Sequence, residues 1–230
     1  MSDQRAIVFD LDNTLYPQEQ FTLSGFLAVA TFVEAQFGIP RDRAMRALRR
    51  ARRTRRGREL QELCARFDLS PTIVPHLVSV VRLHDPGIRL PALTALALRK
   101  LRPDWRIGVL TNGMPSVQRR KVQALGLAPL VDVVLFAEEH GAGGKPHPAA
   151  FVAMRDRLDV SAERTVFVGD DPSADIGGAQ RAGFRTIFVS KANNSWPAPL
   201  PAPDARVSSI RAVPRAAEQL LTGRGWRHVA

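Results

Sequence analysis

Ala6-Ile7-Val8-Phe9-Asp10-Leu11-Asp12-Asn13-Thr14-Leu15 is the stretch that decides the fold. Its four consecutive apolar residues read as a strand covered on both faces, because a strand with one wet face would alternate. The run then meets two carboxylates, Asp10 and Asp12, two residues apart. Charge at the end of a buried strand must be paired or bound to a metal. In open parallel sheets the carboxyl edge of the strands is also where ligands bind. Alone, the pair leaves a plainer alternative open, in which one aspartate caps the next helix and the other faces solvent.

Further short apolar runs repeat the first one: Ile107-Gly108-Val109-Leu110, residues 131–136, residues 165–168 and Thr186-Ile187-Phe188-Val189. Helical patterns separate them. Pro115 opens a run that closes at Gly126, Pro148 opens another through Leu158, and residues 173–182 stop at Gly183. Strand, helix and strand at this spacing predict an α/β fold with a doubly wound parallel sheet. Residues 16–85 break the rhythm. They hold no convincing strand, but Leu23, Phe26, Leu27, Ala30, Val33 and Phe37 have helical spacing, and further helical patches follow. The expected organisation is a Rossmann-like core from residues 1–15 and 86–230, with an all-helical cap at 16–85. Four prolines within residues 196–203 predict an extended excursion there.

More chemistry gathers at the same sheet edge. The Ile107 run ends in Thr111-Asn112-Gly113, and the run at 165–168 ends in Gly169-Asp170-Asp171-Pro172-Ser173-Ala174-Asp175. Lys145 lies in Gly143-Gly144-Lys145-Pro146, in a loop between an apolar run and a helix. Each piece has an innocent explanation as a turn, a helix start or a loop. Their coincidence on one edge of an otherwise apolar sheet points to a site for an anion and a cation together.

The sequence resembles the haloacid dehalogenase superfamily, in the subgroup with a helical cap after the first strand. Asp10-Leu11-Asp12-Asn13-Thr14 matches its first motif, Thr111 the second, Lys145 the third, and Gly169-Asp170-Asp171 with Asp175 the fourth. The resemblance implies a magnesium-dependent phosphatase of a small phosphorylated metabolite, with Asp10 as nucleophile and Asp12 as general acid and base. It implies a Mg2+ site from Asp10, the Asp12 carbonyl and an acid of Asp170-Asp171, supported by Asp175. Thr111, Asn112 and Lys145 would bind the phosphoryl group. Dehalogenases of this superfamily typically lack the second aspartate, so Asp12 favours phosphoryl transfer; a phosphomutase keeps the same core residues and remains an alternative. Residues 12–17, Asp-Asn-Thr-Leu-Tyr-Pro, resemble the opening of pyrimidine-nucleotidase-like members, which makes a nucleotide the first substrate expectation and a sugar phosphate the next.

Other residues carry weaker signals. Gly141 to Lys145 resembles a phosphate loop only superficially, since its glycine spacing fails and Pro146 stands where a Ser or Thr would hold magnesium. The five histidines show no ligand spacing, although His147 sits close enough to Lys145 to touch substrate or to orient its loop. Glu138 and Glu139 could pair with Lys145 or simply face solvent. The single cysteine, Cys64, excludes an internal disulfide, reads as a buried small hydrophobe, and suits a reducing cytoplasm. No apolar run is long enough to span a bilayer, and the N-terminus does not read as a signal peptide.

The formal charge of +11 raises the question of a polyanionic partner. Residues 41–58 hold ten arginines and one acid, Asp42, so +9 of that charge sits in eighteen residues. A solvated helical face is the first explanation. A surface attracting anionic substrates or an acidic partner comes second. Nucleic acid ranks last, because no aromatic residues interleave with the arginines. A nonenzymatic binding module built on this segment is the rival from outside enzymology.

Overall fold

The computed structural model describes residues 4–141, 143–190 and 196–222. Its contacts form two compact units, Met1–Pro17 with Arg89–Ala230, and Gln18–Ile88.

The first unit is built on a six-stranded parallel sheet of β1 (Ala6–Phe9), β2 (Arg106–Thr111), β3 (Val133–Phe136), β4 (Thr165–Gly169), β5 (Arg185–Val189) and β6 (Ala205–Val207). The strand order is β3-β2-β1-β4-β5-β6. After β1 the chain builds outward through β2 and β3, then returns to the far side of β1 for the other three strands. That reversal makes the carboxyl end of β1 the switch point, where a crevice opens in sheets of this kind. Every side chain of β1 is buried, as a strand covered on both faces requires. One covering layer includes Phe151 and Met154, which pack with Val8, Leu110 and Phe167. The Phe151 ring also explains Gly178, where a Cβ would lie 2.7 Å from it.

The helices of this unit are α5 (Ala92–Leu101), α6 (Pro115–Ala124), α7 (Pro148–Leu158), α8 (Gly178–Arg181) and α9 (Val213–Thr222). The second unit is all-helical: α1 (Glu19–Phe37), α2 (Arg41–Thr54), α3 (Glu59–Arg66) and α4 (Val74–Leu83). Its core joins Phe26, Val29, Val33, Leu48, Leu63 and Leu77. α1 stops at Gly38, whose positive φ of 66° lets its N–H reach the Glu34 carbonyl at 3.0 Å. α2 turns Ala44, Ala47, Leu48 and Ala51 inward and its arginines outward. Cys64 is buried, as its reading as a small hydrophobe requires.

Three local features differ from the sequence expectations. The segment expected as one helix at 173–182 is a π-helical turn, Pro172–Gly177, followed by the short α8. The proline-rich stretch folds back rather than extending. Leu200 donates its N–H to the Pro197 carbonyl and accepts the Trp196 indole N–H at its own carbonyl. β6 carries no strand signal in the sequence, because three residues, one of them arginine, make no apolar run.

Among the described residues no helix is long and apolar enough to cross a membrane.

Candidate active site

Asp10 is the first residue beyond β1, and its N–H extends the ladder to the Val168 carbonyl of β4 at 2.9 Å. The backbone therefore fixes Asp10 at the switch point, and its side chain is nearly buried. Lys145 reaches it from the loop before α7. The Lys145 Nζ donates to Asp10 Oδ1 at 2.6 Å, to Asp175 Oδ1 at 2.7 Å and to the Leu110 carbonyl at 2.9 Å. All three ammonium protons thus have acceptors, which is what a lysine only 4% exposed needs.

Oxygens of Asp10, Asp170 and Asp175 lie within 4.8 Å of one another, the only group of this kind among the described residues. A single buried ammonium cannot balance three carboxylates. Burial pushes the Asp10 carboxyl up to about 7, against the pull of Lys145 and with Asp175 adding to the rise. Burial, then the charges of Asp175 and Asp171, likewise raise Asp170 to about 6. Lys145 is driven upward as well, because Asp10 and Asp175 outweigh its own desolvation. These shifts share one origin, an excess of negative charge in a space with little water. An all-oxygen donor set with that excess fits a small hard divalent cation.

The two aspartates of the fourth motif divide their work. Asp171 Oδ1 accepts the N–H groups of Ser173 at 2.8 Å and Ala174 at 2.7 Å, so its side chain caps the helical turn that follows. Asp171, expected among the metal residues, is outside the carboxylate group; its neighbour Asp170 is inside it. Asp175, expected as a support, is a member. Its Oδ2 also accepts the N–H groups of Asp170 at 3.1 Å and Asp171 at 3.0 Å. Gly169 makes room for this, since a Cβ there would lie 2.3 Å from Asp175 Oδ2.

Asn112 acts through its side chain. Its amide donates to the Lys145 carbonyl and accepts the Lys145 N–H, both at 2.8 Å, which ties the end of β2 to the lysine loop. Gly144 approaches closely enough that a Cβ would meet Asn112 Oδ1 at 2.7 Å, and its φ of +67° suits glycine. Glu138 and Glu139 do not pair with Lys145. Glu138 accepts the Gly113 N–H at 2.5 Å, and Glu139 pairs with Arg119. His147 Nδ1 accepts the Ala149 N–H and so caps α7.

Asp12 lies in a cradle that the sequence did not suggest. Lys121 Nζ of α6 donates to both of its oxygens at 2.8 Å, Gln118 Nε2 to Oδ2 at 3.0 Å, and the Tyr16 hydroxyl to Oδ1 at 2.5 Å. Gln118 also donates to Thr111 Oγ1 at 2.6 Å, linking the threonine of β2 to Asp12. Burial, reinforced by the Asp12 charge, keeps the Tyr16 phenol protonated far above its ordinary range. One signal was available in the sequence. Only four lysines stand among 33 basic residues, and two of them, Lys121 and Lys145, are buried here. A lysine brings a compact point charge on a flexible stem, around which several acceptors can converge, as three do at Lys145.

Beside Asp170 a cavity of about 480 Å³ is lined by Asn13, Thr14, Tyr16, Pro91, Thr94 and Ser209 among others. Thr14 Oγ1 lies 3.5 Å from Asp170 Oδ1, at the long limit of a hydrogen bond. The arrangement offers a buried carboxyl at the sheet edge beside a fixed ammonium, a carboxylate group that could hold a cation, and a second carboxylate held by its own cradle.

A family model described as haloacid dehalogenase-like hydrolase matches residues 4–183. The glyceraldehyde 3-phosphate phosphatase of Methanocaldococcus jannaschii is 30% identical over 199 residues, covering 81% of this chain and 85% of the relative. The phosphoserine phosphatase of Thermus thermophilus is 35% identical over 123 residues, 54% of this chain and 49% of the relative. Among solved structures, a 2-haloacid dehalogenase from Pseudomonas syringae superposes with a TM-score of 0.67 at 26% identity, covering 94% of this chain and 99% of that one. With the motif residues gathered at the switch point of the sheet, the chain belongs to the haloacid dehalogenase-like hydrolases.

Proposed function

We propose that the protein is a magnesium-dependent phosphatase that hydrolyses a small phosphomonoester metabolite through an aspartyl-phosphate at Asp10. The observation that carries this reading is the 2.6 Å pair between Lys145 and Asp10 beside Asp170. That geometry supports a nucleophilic carboxylate, a fixed positive charge and a cation site working around one point. The names of the relatives, phosphatases of glyceraldehyde 3-phosphate and of phosphoserine, support the substrate class, with nucleotides and sugar phosphates inside it.

Asp10 and Asp170, with the Asp12 carbonyl, would hold Mg2+, which when bound neutralises charge on the phosphoryl oxygens. Asp10 attacks phosphorus, forming a carboxylate O–P bond as the ester P–O bond breaks. Asp12, entering this step as the carboxylic acid, gives the departing alkoxide its proton and becomes a carboxylate. It then takes a proton from water, which attacks phosphorus, releases phosphate and restores Asp10. Lys145 keeps its charge beside Asp10 throughout and offsets the negative charge gathered on the phosphoryl group. Gln118 and Lys121 hold Asp12, Asn112 holds the Lys145 backbone, and the helical unit Gln18–Ile88 serves as the substrate-selecting cap.

The test is release of phosphate from an aryl phosphate and a panel of phosphorylated metabolites, with and without magnesium. Turnover should require the metal, and Asp10→Asn should lower it by at least about a thousandfold with the fold intact. Substantial magnesium-dependent turnover by that variant would contradict the assignment.

A further inference from the structure

The basic segment is more than a solvated helical face. Arg43, Arg46, Arg49, Arg50 and Arg53 of α2 and Arg66 at the end of α3 line one groove of about 810 Å³. The remainder of its lining is Ala47, Thr54 and Phe67, with no carboxylate. All six arginines are exposed. Arg46 is paired with Asp42 at 2.6 Å, an exposed contact of small energetic value. Arg43, Arg49, Arg50, Arg53 and Arg66 have no ion-pair partner among the described residues. The segment's other two ion pairs, Arg52 with Glu59 and Arg55 with Glu62, involve arginines outside the groove.

Placing like charges three and four residues apart on a helix destabilises it. Acids elsewhere on α2 could relieve that repulsion, yet Asp42 is its single one. The groove thus gathers uncompensated charge along a run of about 15 Å, from Arg43 to Arg53 at 1.5 Å per residue. Guanidinium groups, planar and forked, suit phosphate oxygens.

We propose that this groove binds the phosphate backbone of a nucleic-acid duplex without reading its sequence; the absence of interleaved aromatics weighs only against stacking on single strands. The lining decides among polyanions. A protein interface is anchored by buried aromatic or apolar residues, and here Phe67 alone is of that kind. An amphipathic membrane helix carries large apolar side chains on the face opposite its charges, whereas the inward face of α2 is buried in the core. No large hydrophobic side chain of α2 or α3 is exposed. A uniform row of arginines selects charge density, which a phosphodiester chain supplies. The proposal is independent of the phosphatase assignment, since none of these arginines belongs to the catalytic group.

The experiment is fluorescence anisotropy of the full chain with a labelled 20-base-pair DNA duplex over a range of salt. Binding in the micromolar range is expected at low salt. Its logarithm should fall against log salt with a slope of about −4 to −5, for roughly five neutralised phosphates. Arg43→Gln/Arg49→Gln/Arg50→Gln/Arg53→Gln should weaken low-salt binding at least about tenfold and flatten the slope by about three. Its circular dichroism spectrum and melting temperature should match those of the parent, which reports an intact fold. Should that variant fail to fold, Arg49→Gln/Arg50→Gln should show about half the change in slope.

A charge-matched control, Arg99→Gln/Arg157→Gln/Arg211→Gln/Arg215→Gln, removes the same charge from exposed sites of the sheet unit. The proposal is overturned if the control weakens binding as much as the groove variant does, because overall charge would then suffice. It is also overturned if no binding occurs at low salt, or if poly-glutamate of equal charge binds more tightly than the duplex.

Discussion

Lys121 Nζ stands 2.8 Å from each carboxylate oxygen of Asp12, although 109 residues separate the two in the chain. The lysine is almost wholly buried and Asp12 is largely so, which makes the pair a fixed part of the site rather than a surface contact. A symmetric ammonium keeps the carboxylate from rotating, while Gln118 and Tyr16 set its tilt.

Lys121→Met should therefore cost activity through Asp12. We expect kcat to fall by about a hundredfold, inside the range ascribed to a positioned acid–base group. In an Asp12→Asn background the same change should cost less than about threefold, since the group it positions is already lost. Lys121→Arg should recover little, because the bulkier guanidinium does not fit the buried space that the Lys121 ammonium occupies. Steady-state kinetics on the four-member cycle measures all three. Full additivity would mean that Lys121 acts independently of Asp12.

Asp170 and Asp171 are adjacent, but their expected phenotypes differ. Asp171→Ala removes a helix cap and should lower stability by about 1 kcal/mol, with little effect on magnesium affinity. Asp170→Asn should weaken magnesium binding at least about tenfold while leaving the cap in place. Titration calorimetry with magnesium and thermal melts of both variants separate the two roles. Equal losses of metal affinity would assign both carboxylates to the ion.

Lys145→Met leaves Asp10 and Asp175 facing each other without their shared cation. Breaking a buried pair by removing one partner costs about 3–5 kcal/mol, so the variant should melt far below the parent at neutral pH. Acid should relieve this by protonating a carboxylate, and the gap in melting temperature should narrow between pH 8 and pH 5. A gap independent of pH would mean that lost packing, not unbalanced charge, is the cause.

Much of the site was legible because its parts are local. Asp10 and Asp12 end an apolar run, Asp170 ends another, and Thr111 ends a third; a strand in a buried sheet announces its own carboxyl edge. What was not legible depends on side chains meeting across the chain. Gln118 and Lys121 share a face of α6 by their spacing, but nothing local aims that face at Asp12. Asp170 and Asp171 have the same chemistry and differ only in which way the backbone turns as β4 gives way to Pro172. β6 is too short for its composition to register. The arginines of α2 stand in plain view in the sequence, yet their joining with Arg66 around one groove belongs to the packing of α2 and α3.

The acid range offers a last test, and its sign follows from the two carboxyls. The free aspartate pKa is 3.8, against about 7 for Asp10 and about 6 for Asp170 in the folded, metal-free protein. Between those values the native state binds more protons than the unfolded state, so stability falls as pH rises. The contribution is fully present below pH 4 and is lost progressively as pH climbs through 6 and 7. A divalent cation reverses the balance, since it competes with those protons and binds the ionised forms. Magnesium should therefore raise the melting temperature strongly at pH 8 and hardly at all at pH 5. Thermal denaturation at both pH values, with and without millimolar magnesium, reads this directly. An equal stabilisation at the two pH values would place the ion away from Asp10 and Asp170.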